Sequence, residues 1–148
     1  IPELRAQGLK IGLVKHAHHL FDIDQPGKDS FKLRKAGASE MLVASAKRWA
    51  VVHESPERTE DPVLEELLPH LSLSDLDLVL VEGFKQESLE KIELHRPSLG
   101  KPYLFPEVPG IIALATDKVP TKEIPLPVLD LNKTGEIADF IMQRFFQD

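Results

Sequence analysis

Apolar positions in this chain fall into short runs separated by polar, Pro- and Gly-containing stretches, a spacing that predicts strands alternating with helices. The opening Ile1-Pro2-Glu3-Leu4-Arg5-Ala6-Gln7-Gly8 reads as the last turns of a helix closed by Gly8 in the left-handed conformation. Lys10 to His16 is apolar and β-branched and predicts a buried strand. A polar loop follows from His16 to Ser30, turning at Pro26-Gly27, with Asp29 or Ser30 placed to cap a helix that runs to about Ala36 and stops at Gly37. Met41 to Ala44 and Trp49 to Val52 flank Ser45 to Arg48, the pattern of a hairpin, and Trp49 is assigned to packing. Asp61-Pro62 sets a helix start, Leu64, Leu67, Leu68 and Leu71 give it an apolar stripe, and Pro69 ends or bends it.

The strongest strand signal is Leu76 to Val81, a continuous apolar run suited to a central parallel strand covered on both faces. Ile92 to Leu94, Ile111 to Ala115 and Val128 to Leu131 predict further strands, with a Pro-rich connection between Pro97 and Pro109. Thr134 to Phe146 places Ile137, Phe140, Ile141 and Phe145 on one helical face, leaving Glu136, Asp139 and Arg144 to solvent. The alternation argues for one α/β domain over residues 1–148, a three-layer sandwich of mostly parallel sheet with helices on both faces. Ligands of such sheets gather beyond the carboxyl ends of the strands, which selects the segments after Val14, Val81 and Ala115.

Composition narrows the function. At 42% hydrophobic and 28% charged, with no apolar run of the roughly 20 residues that cross a bilayer, the chain reads as globular, with no membrane role and a cytoplasmic location. A net charge of -6 argues against a nucleic-acid footprint, which needs a basic face. Without cysteine there is no disulfide or thiolate metal site, so any metal must bind through His, Asp or Glu.

The first strand end holds Lys15, His16, His18, His19, Asp22, Asp24, Lys28 and Asp29, a density consistent with a phosphate or divalent-metal site. A solvated loop whose imidazoles bond its own backbone is the alternative, and the spacing matches no closed zinc pattern. At the second, Glu82 is placed to hold Mg²⁺ directly or through water, and Gly83 lets backbone approach a terminal phosphate; a plain turn reads equally well. At the third, Thr116-Asp117 puts a carboxylate where it can accept both N1–H and N2–H of guanine, a geometry adenine cannot satisfy, against the same alternative of a simple turn.

Taken together, Gly12-Leu13-Val14-Lys15-His16-Ala17-His18-His19 with Phe21 to Ser30, then Leu33-Arg34-Lys35-Ala36-Gly37-Ala38, then Leu76 to Lys85, resemble the molybdopterin-guanine dinucleotide biosynthesis protein B family, MobB, and the similarity runs on through Ala113 to Asp117. The resemblance implies a P-loop GTP-binding accessory protein of molybdenum-cofactor biosynthesis. Such a protein assists the guanylyltransferase that joins GMP to molybdopterin, is dimeric, and has feeble Mg²⁺-dependent GTPase activity. It implies nucleotide contacts by Lys15, Gly83, Thr116 and Asp117, metal contacts by Glu82 and Asp24, and a substrate or cofactor loop built from His16, His18, His19, Asp22, Lys28, Asp29 and Arg34. It identifies no general base. It also implies a strand and Gly-rich loop ending in Gly-Lys-Ser/Thr ahead of Ile1; nothing in the 148 residues matches G-x-x-x-x-G-K-[ST], so GTP affinity of these residues alone is expected to collapse. Two other readings stay open: an adaptor that delivers nucleotide or cofactor to a partner enzyme, and a metal handler using His16, His18 and His19.

Overall fold

The computed structural model describes residues 1–17 and 21–147, and their contacts divide the chain into two compact units. One unit comprises Ile1–Lys15 with the segment from Leu64 onward, and the other His16–Val63.

In the larger unit a short helix α1 (Pro2–Ala6) ends at Gly8, whose φ of 92° is the left-handed turn that glycine permits. Strand β1 (Ile11–Lys15) pairs in parallel with a later strand, β4 (Leu78–Glu82), in a register that runs from Ile11 opposite Leu78 to Lys15 opposite Glu82. Gly12 sits where a Cβ would come within 2.6 Å of the Leu76 side chain, so the strand passes there without a side chain. Three more strands, β5 (Lys91–His95), β6 (Ile111–Thr116) and β7 (Val128–Asp130), form a second parallel sheet with β6 in the middle. Leu4 of α1 and Ala138 and Ile141 of helix α4 (Thr134–Phe145) form a buried cluster against Ile11, Leu78, Leu80 and Ile92, so both helices cover strands of both sheets. The charged residues of α4 stay at its margin: Arg144 pairs with Glu90, and Glu136 with Lys133.

The most deeply buried strand is β6, with Ala113, Leu114 and Ala115 at 0% exposure, rather than Leu76 to Val81, which is half-buried. β6 is the middle strand of its sheet, paired along both edges by β5 and β7. The connection between residues 97 and 109 is held to β5 by Glu93, whose two carboxylate oxygens accept from the Leu104 and Phe105 amides at 2.8 and 2.9 Å, and by His95, whose ring lies 4.3 Å from that of Tyr103. The expected helix from Asp61-Pro62 begins later, as a single turn α3 (Leu64–Leu67), and Pro69 converts its continuation into a 3₁₀ turn over Leu68–His70, since proline removes an N–H that an α-helix needs.

Gly110 marks the start of β6. Its φ is 83°, its carbonyl accepts the Lys91 amide at 2.8 Å, and an added Cβ would collide with the Leu89 carbonyl oxygen. Gly110→Ala therefore forces both a left-handed alanine and a backbone clash, and is expected to lower unfolding free energy by about 2–4 kcal/mol. Urea denaturation checks this; an unchanged midpoint would show that the junction relaxes freely.

The smaller unit joins helix α2 (Asp29–Lys35) to an antiparallel hairpin of β2 (Glu40–Ser45) and β3 (Arg48–His53). Lys28, not Asp29 or Ser30, is the N-cap of α2; Asp29 instead lies in the first turn, where a negative charge favours the helix dipole. Gly37, with a φ of 107°, follows the helix end. Trp49, expected to pack, is instead 65% exposed, and Leu42, Val43 and Val51 of the same hairpin are also exposed.

Candidate functional site

The parallel pairing of β1 with β4 brings Lys15 beside Glu82 at their carboxyl ends, where the ammonium donates to both carboxylate oxygens at 2.8 and 3.0 Å. Both side chains are about 60% exposed, 60% for Lys15 and 62% for Glu82, so the pair is open to a ligand and contributes little by itself to stability. Immediately beyond it the chain takes two successive residues through positive φ, Gly83 at 89° and Phe84 at 49°. Phenylalanine rarely occupies that region, and strain of this kind concentrates where backbone is held for a ligand. Successive amides in such a turn can form a concavity that suits an anion.

The β5–β6 pair makes a second charged end. His95 stands opposite Thr116, so the next residues, Arg96 and Asp117, emerge side by side, and Arg96 Nη1 donates to Asp117 Oδ2 at 2.9 Å. Asp117 is 19% exposed in its side chain, and its Oδ1 is buried without a hydrogen-bond partner. Thr116 is 4% exposed and its hydroxyl is likewise unpartnered, while its carbonyl accepts the Leu131 amide at 2.9 Å.

The smaller unit is organised around Arg34. Its Nη1 donates to Glu54 at 2.7 Å, and its Nη2 donates to Asp22 at 2.7 Å and to Asp24 at 2.6 Å. The guanidinium is 7% exposed and Asp24 only 10%, so the cluster pins the 22–24 segment and the end of β3 to α2. The hydrogen bond from Arg34 holds the Asp24 carboxyl below its usual range despite opposition from burial, and the carboxylates, Asp24 foremost, raise Arg34 further above its already high value. Asp24 and Arg34 are thus engaged with each other, Asp22 and Arg34 line one open cavity of about 260 Å³ together with Phe21, Ile23, Val51 and Glu54, and Lys28 and Asp29 lie exposed at the start of α2. His16 pairs with Asp61 at 3.0 Å. His18 and His19 lie outside the described residues.

Three of these participants were not singled out by sequence reasoning. Glu54 falls between predicted elements, Glu93 within the strand expected at Ile92 to Leu94, and Arg96 just ahead of the Pro-rich connection. The signal for Arg96 was its place: it follows one predicted strand as Asp117 follows the next.

Among the described residues no group of three or more His, Asp or Glu side chains could hold a metal ion unaided. Mg²⁺ ordinarily binds nucleotide proteins through one or two carboxylates, with phosphate oxygens and water completing its shell, and Glu82 at a strand end fits that modest demand once Lys15 yields. Asp24 fits it less well, since one of its oxygens already accepts from Arg34.

Parallel strands whose carboxyl ends carry charged side chains and a glycine kink define an α/β protein of the open-sheet type, a class whose ligands gather beyond such ends. The comparisons narrow the class. The sequence profile of MobB, molybdopterin guanine dinucleotide synthesis protein B, matches residues 1–117, and the chain belongs to that family. The molybdopterin-guanine dinucleotide biosynthesis adapter protein of Escherichia coli K12 is 44% identical over 144 residues, covering 97% of this chain and 81% of the relative. The protein of the same name from Haemophilus influenzae is 40% identical, covering 95% and 76%. A crystal structure of molybdopterin-guanine biosynthesis protein B superposes with a TM-score of 0.71 at 25% identity, covering 97% of this chain and 86% of that one. Bacillus subtilis MobB shares the fold, with a TM-score of 0.67 at 20% identity, covering 99% and 85%.

Proposed function

We propose that this protein is a GTP-binding accessory protein of molybdopterin guanine dinucleotide biosynthesis, in which Mg²⁺-dependent hydrolysis is slow. Its role is to assist, as a homodimer in the cytoplasm, the guanylyltransferase that joins GMP to molybdopterin. The observation that carries the reading is the Lys15–Glu82 pair at the ends of adjacent parallel strands, next to the Gly83-Phe84 kink. Lysine supplies a point charge for phosphate, the kink supplies amides, and Glu82 supplies a carboxylate for Mg²⁺. When bound, Mg²⁺ would neutralise charge on the β and γ phosphates. Lys15 would exchange its carboxylate partner for a phosphate oxygen, and Asp117 would read the base with Thr116 behind it. The segment carrying His16, His18, His19, Asp22, Lys28 and Asp29 would contact the cofactor, with Arg34 holding it in place. The exposed apolar hairpin face at Leu42, Trp49 and Val51 supports self-association. No helix among the described residues is long and apolar enough to cross a membrane.

The adaptor reading has its own support, since both bacterial relatives are named adapter proteins. On that reading, nucleotide is held and presented and hydrolysis is incidental. Turnover that stays low when the partner enzyme is added, with clear complex formation, favours it.

The test is calorimetric titration with GTP and with ATP in Mg²⁺, on the chain and on a form extended at the amino end with a G-x-x-x-x-G-K-[ST] segment. Preference for GTP in the extended form is the expected result, and equal affinity for both nucleotides refutes it. In that form Glu82→Gln is expected to reduce Mg²⁺-dependent turnover roughly 10-fold or more while changing GTP affinity less than threefold, because it removes charge on the metal rather than a nucleotide contact. The opposite pattern, lost affinity with turnover of the bound fraction intact, would make Glu82 a structural partner of Lys15.

A further inference from the structure

The Arg96–Asp117 pair carries an inference about how the base site is kept when no base is present. Arg96 and Asp117 lie next to each other because each directly follows one of two parallel, paired strands, and Arg96 Nη1 donates to Asp117 Oδ2 at 2.9 Å. A guanidinium offers a planar fork of N–H donors to a carboxylate, and the N1–H and N2–H edge of guanine is the same amidine-like fork. We infer that Arg96 is the resident occupant of the guanine position, a side chain that covers Asp117 in the free protein and must swing away for guanine to bind. This rests on Asp117 being the base-reading carboxylate.

Three features favour exchange. The Arg96 side chain is 49% exposed on a flexible stem, while Asp117 is 19% exposed and anchored at a strand end, so the arginine is the partner that moves. Only one guanidinium bond is made, and a half-exposed ion pair is weak, so opening it costs little. Asp117 Oδ1, buried and without a partner, is a cost the free protein carries. A ligand with two parallel N–H groups can satisfy both oxygens once the carboxylate is free to turn. Adenine cannot repeat the exchange, because its Watson–Crick edge sets a ring acceptor beside the amino donor and would point a lone pair at the carboxylate. Arg96 therefore acts as a competitor that guanine alone displaces well, lowering apparent affinity by the fraction of protein in which Asp117 is covered.

The test uses GMP and AMP over the millimolar range, followed by NMR on the folded chain, with spectra confirming that each variant keeps its fold. Removing the competitor in Arg96→Ala is expected to tighten GMP binding about two- to fivefold, the range open to a weak surface pair, and to leave AMP unchanged. In wild type, the Arg96 guanidinium resonance is expected to shift with GMP and not with AMP. Asp117→Asn serves as the control for the base reading. If Asp117→Asn abolishes the GMP preference but Arg96→Ala binds GMP no more tightly than wild type, Arg96 is no competitor and this inference fails while the base reading stands. If wild type binds GMP no better than AMP, or Asp117→Asn keeps the preference, the base reading fails and takes the inference with it.

Discussion

Arg34→Met is expected to loosen the smaller unit, lowering the melting temperature by on the order of 5 °C and speeding amide exchange along Arg48–His53 and over residues 21–24. Methionine keeps an unbranched apolar stem, so the substitution removes chiefly the charge and the three hydrogen bonds of the guanidinium. In the native unit the carboxylates of Asp22, Asp24 and Glu54 all lie within 2.7 Å of guanidinium nitrogens on the one arginine. Taking the arginine away leaves three acidic groups crowded around a site without a counter-charge, which costs far more than a lost surface pair. Arg34→Lys should recover part of the loss, because an ammonium restores charge but cannot present two separate nitrogens in a fixed plane. Unchanged exchange rates in Arg34→Met would show that the hairpin and helix hold together without the clamp.

The pH dependence has a definite sign. The folded-state pKa of Asp24 is depressed, chiefly by the hydrogen bond from Arg34, below its ordinary 3.8. A group depressed on folding adds stability that is complete above the unfolded value and is lost as pH falls through the folded value. Wild type should therefore lose this contribution only below about pH 3.8. In Arg34→Met the same carboxylates repel one another, so protonation relieves strain, and the stability gap between variant and wild type narrows as the solution is acidified. A gap that widens toward low pH would contradict the role given to the carboxylates.

How much of this was readable from the residues follows from how local each determinant is. Strand and helix positions depend on short periodicities, and the runs at Lys10, Met41, Ile92, Ile111 and Thr134 mark elements that fold within a residue or two of the expected bounds. The Ser45–Arg48 turn was equally local: Ser45 donates its hydroxyl to the Arg48 carbonyl, closing the hairpin through its own neighbours. Coverage is not local. Leu76 to Val81 gives the strongest strand signal, yet β6 is the more buried, and its place between β5 and β7 is set by pairing with segments far away in sequence. Trp49 has an apolar composition around it and an uncovered surface in fact. Arg34 was recognised as part of a functional stretch, but its partners lie 10, 12 and 20 residues away, and no spacing rule names them. Lys15 and Glu82 are 67 residues apart and become a pair only through the register of two parallel strands.

Asp117→Asn is expected to cut the preference of the amino-terminally extended form for GTP over ATP by on the order of 100-fold, while shifting its choice toward xanthosine triphosphate. The reason is the arrangement of donors and acceptors. A carboxylate offers two acceptors, which suits guanine N1–H and N2–H together, whereas an asparagine offers one acceptor and one donor. Its amide oxygen can still take N1–H, but its NH₂ then meets the guanine amino group, donor against donor. Xanthine carries a carbonyl at that position, and the asparagine donor pairs with it. The surroundings make the discrimination large, because Asp117 is 19% exposed and one of its oxygens is shut away from water, so a mismatched donor there has no solvent to turn to. The substitution also removes the charge that holds Arg96, freeing the arginine without restoring affinity for guanine. Competition titrations with GTP, ATP and xanthosine triphosphate on the wild-type and variant proteins read the whole pattern at once. Retained GTP preference in the variant would move base recognition away from the end of β6 and leave Asp117 as the ion-pair partner of Arg96 alone.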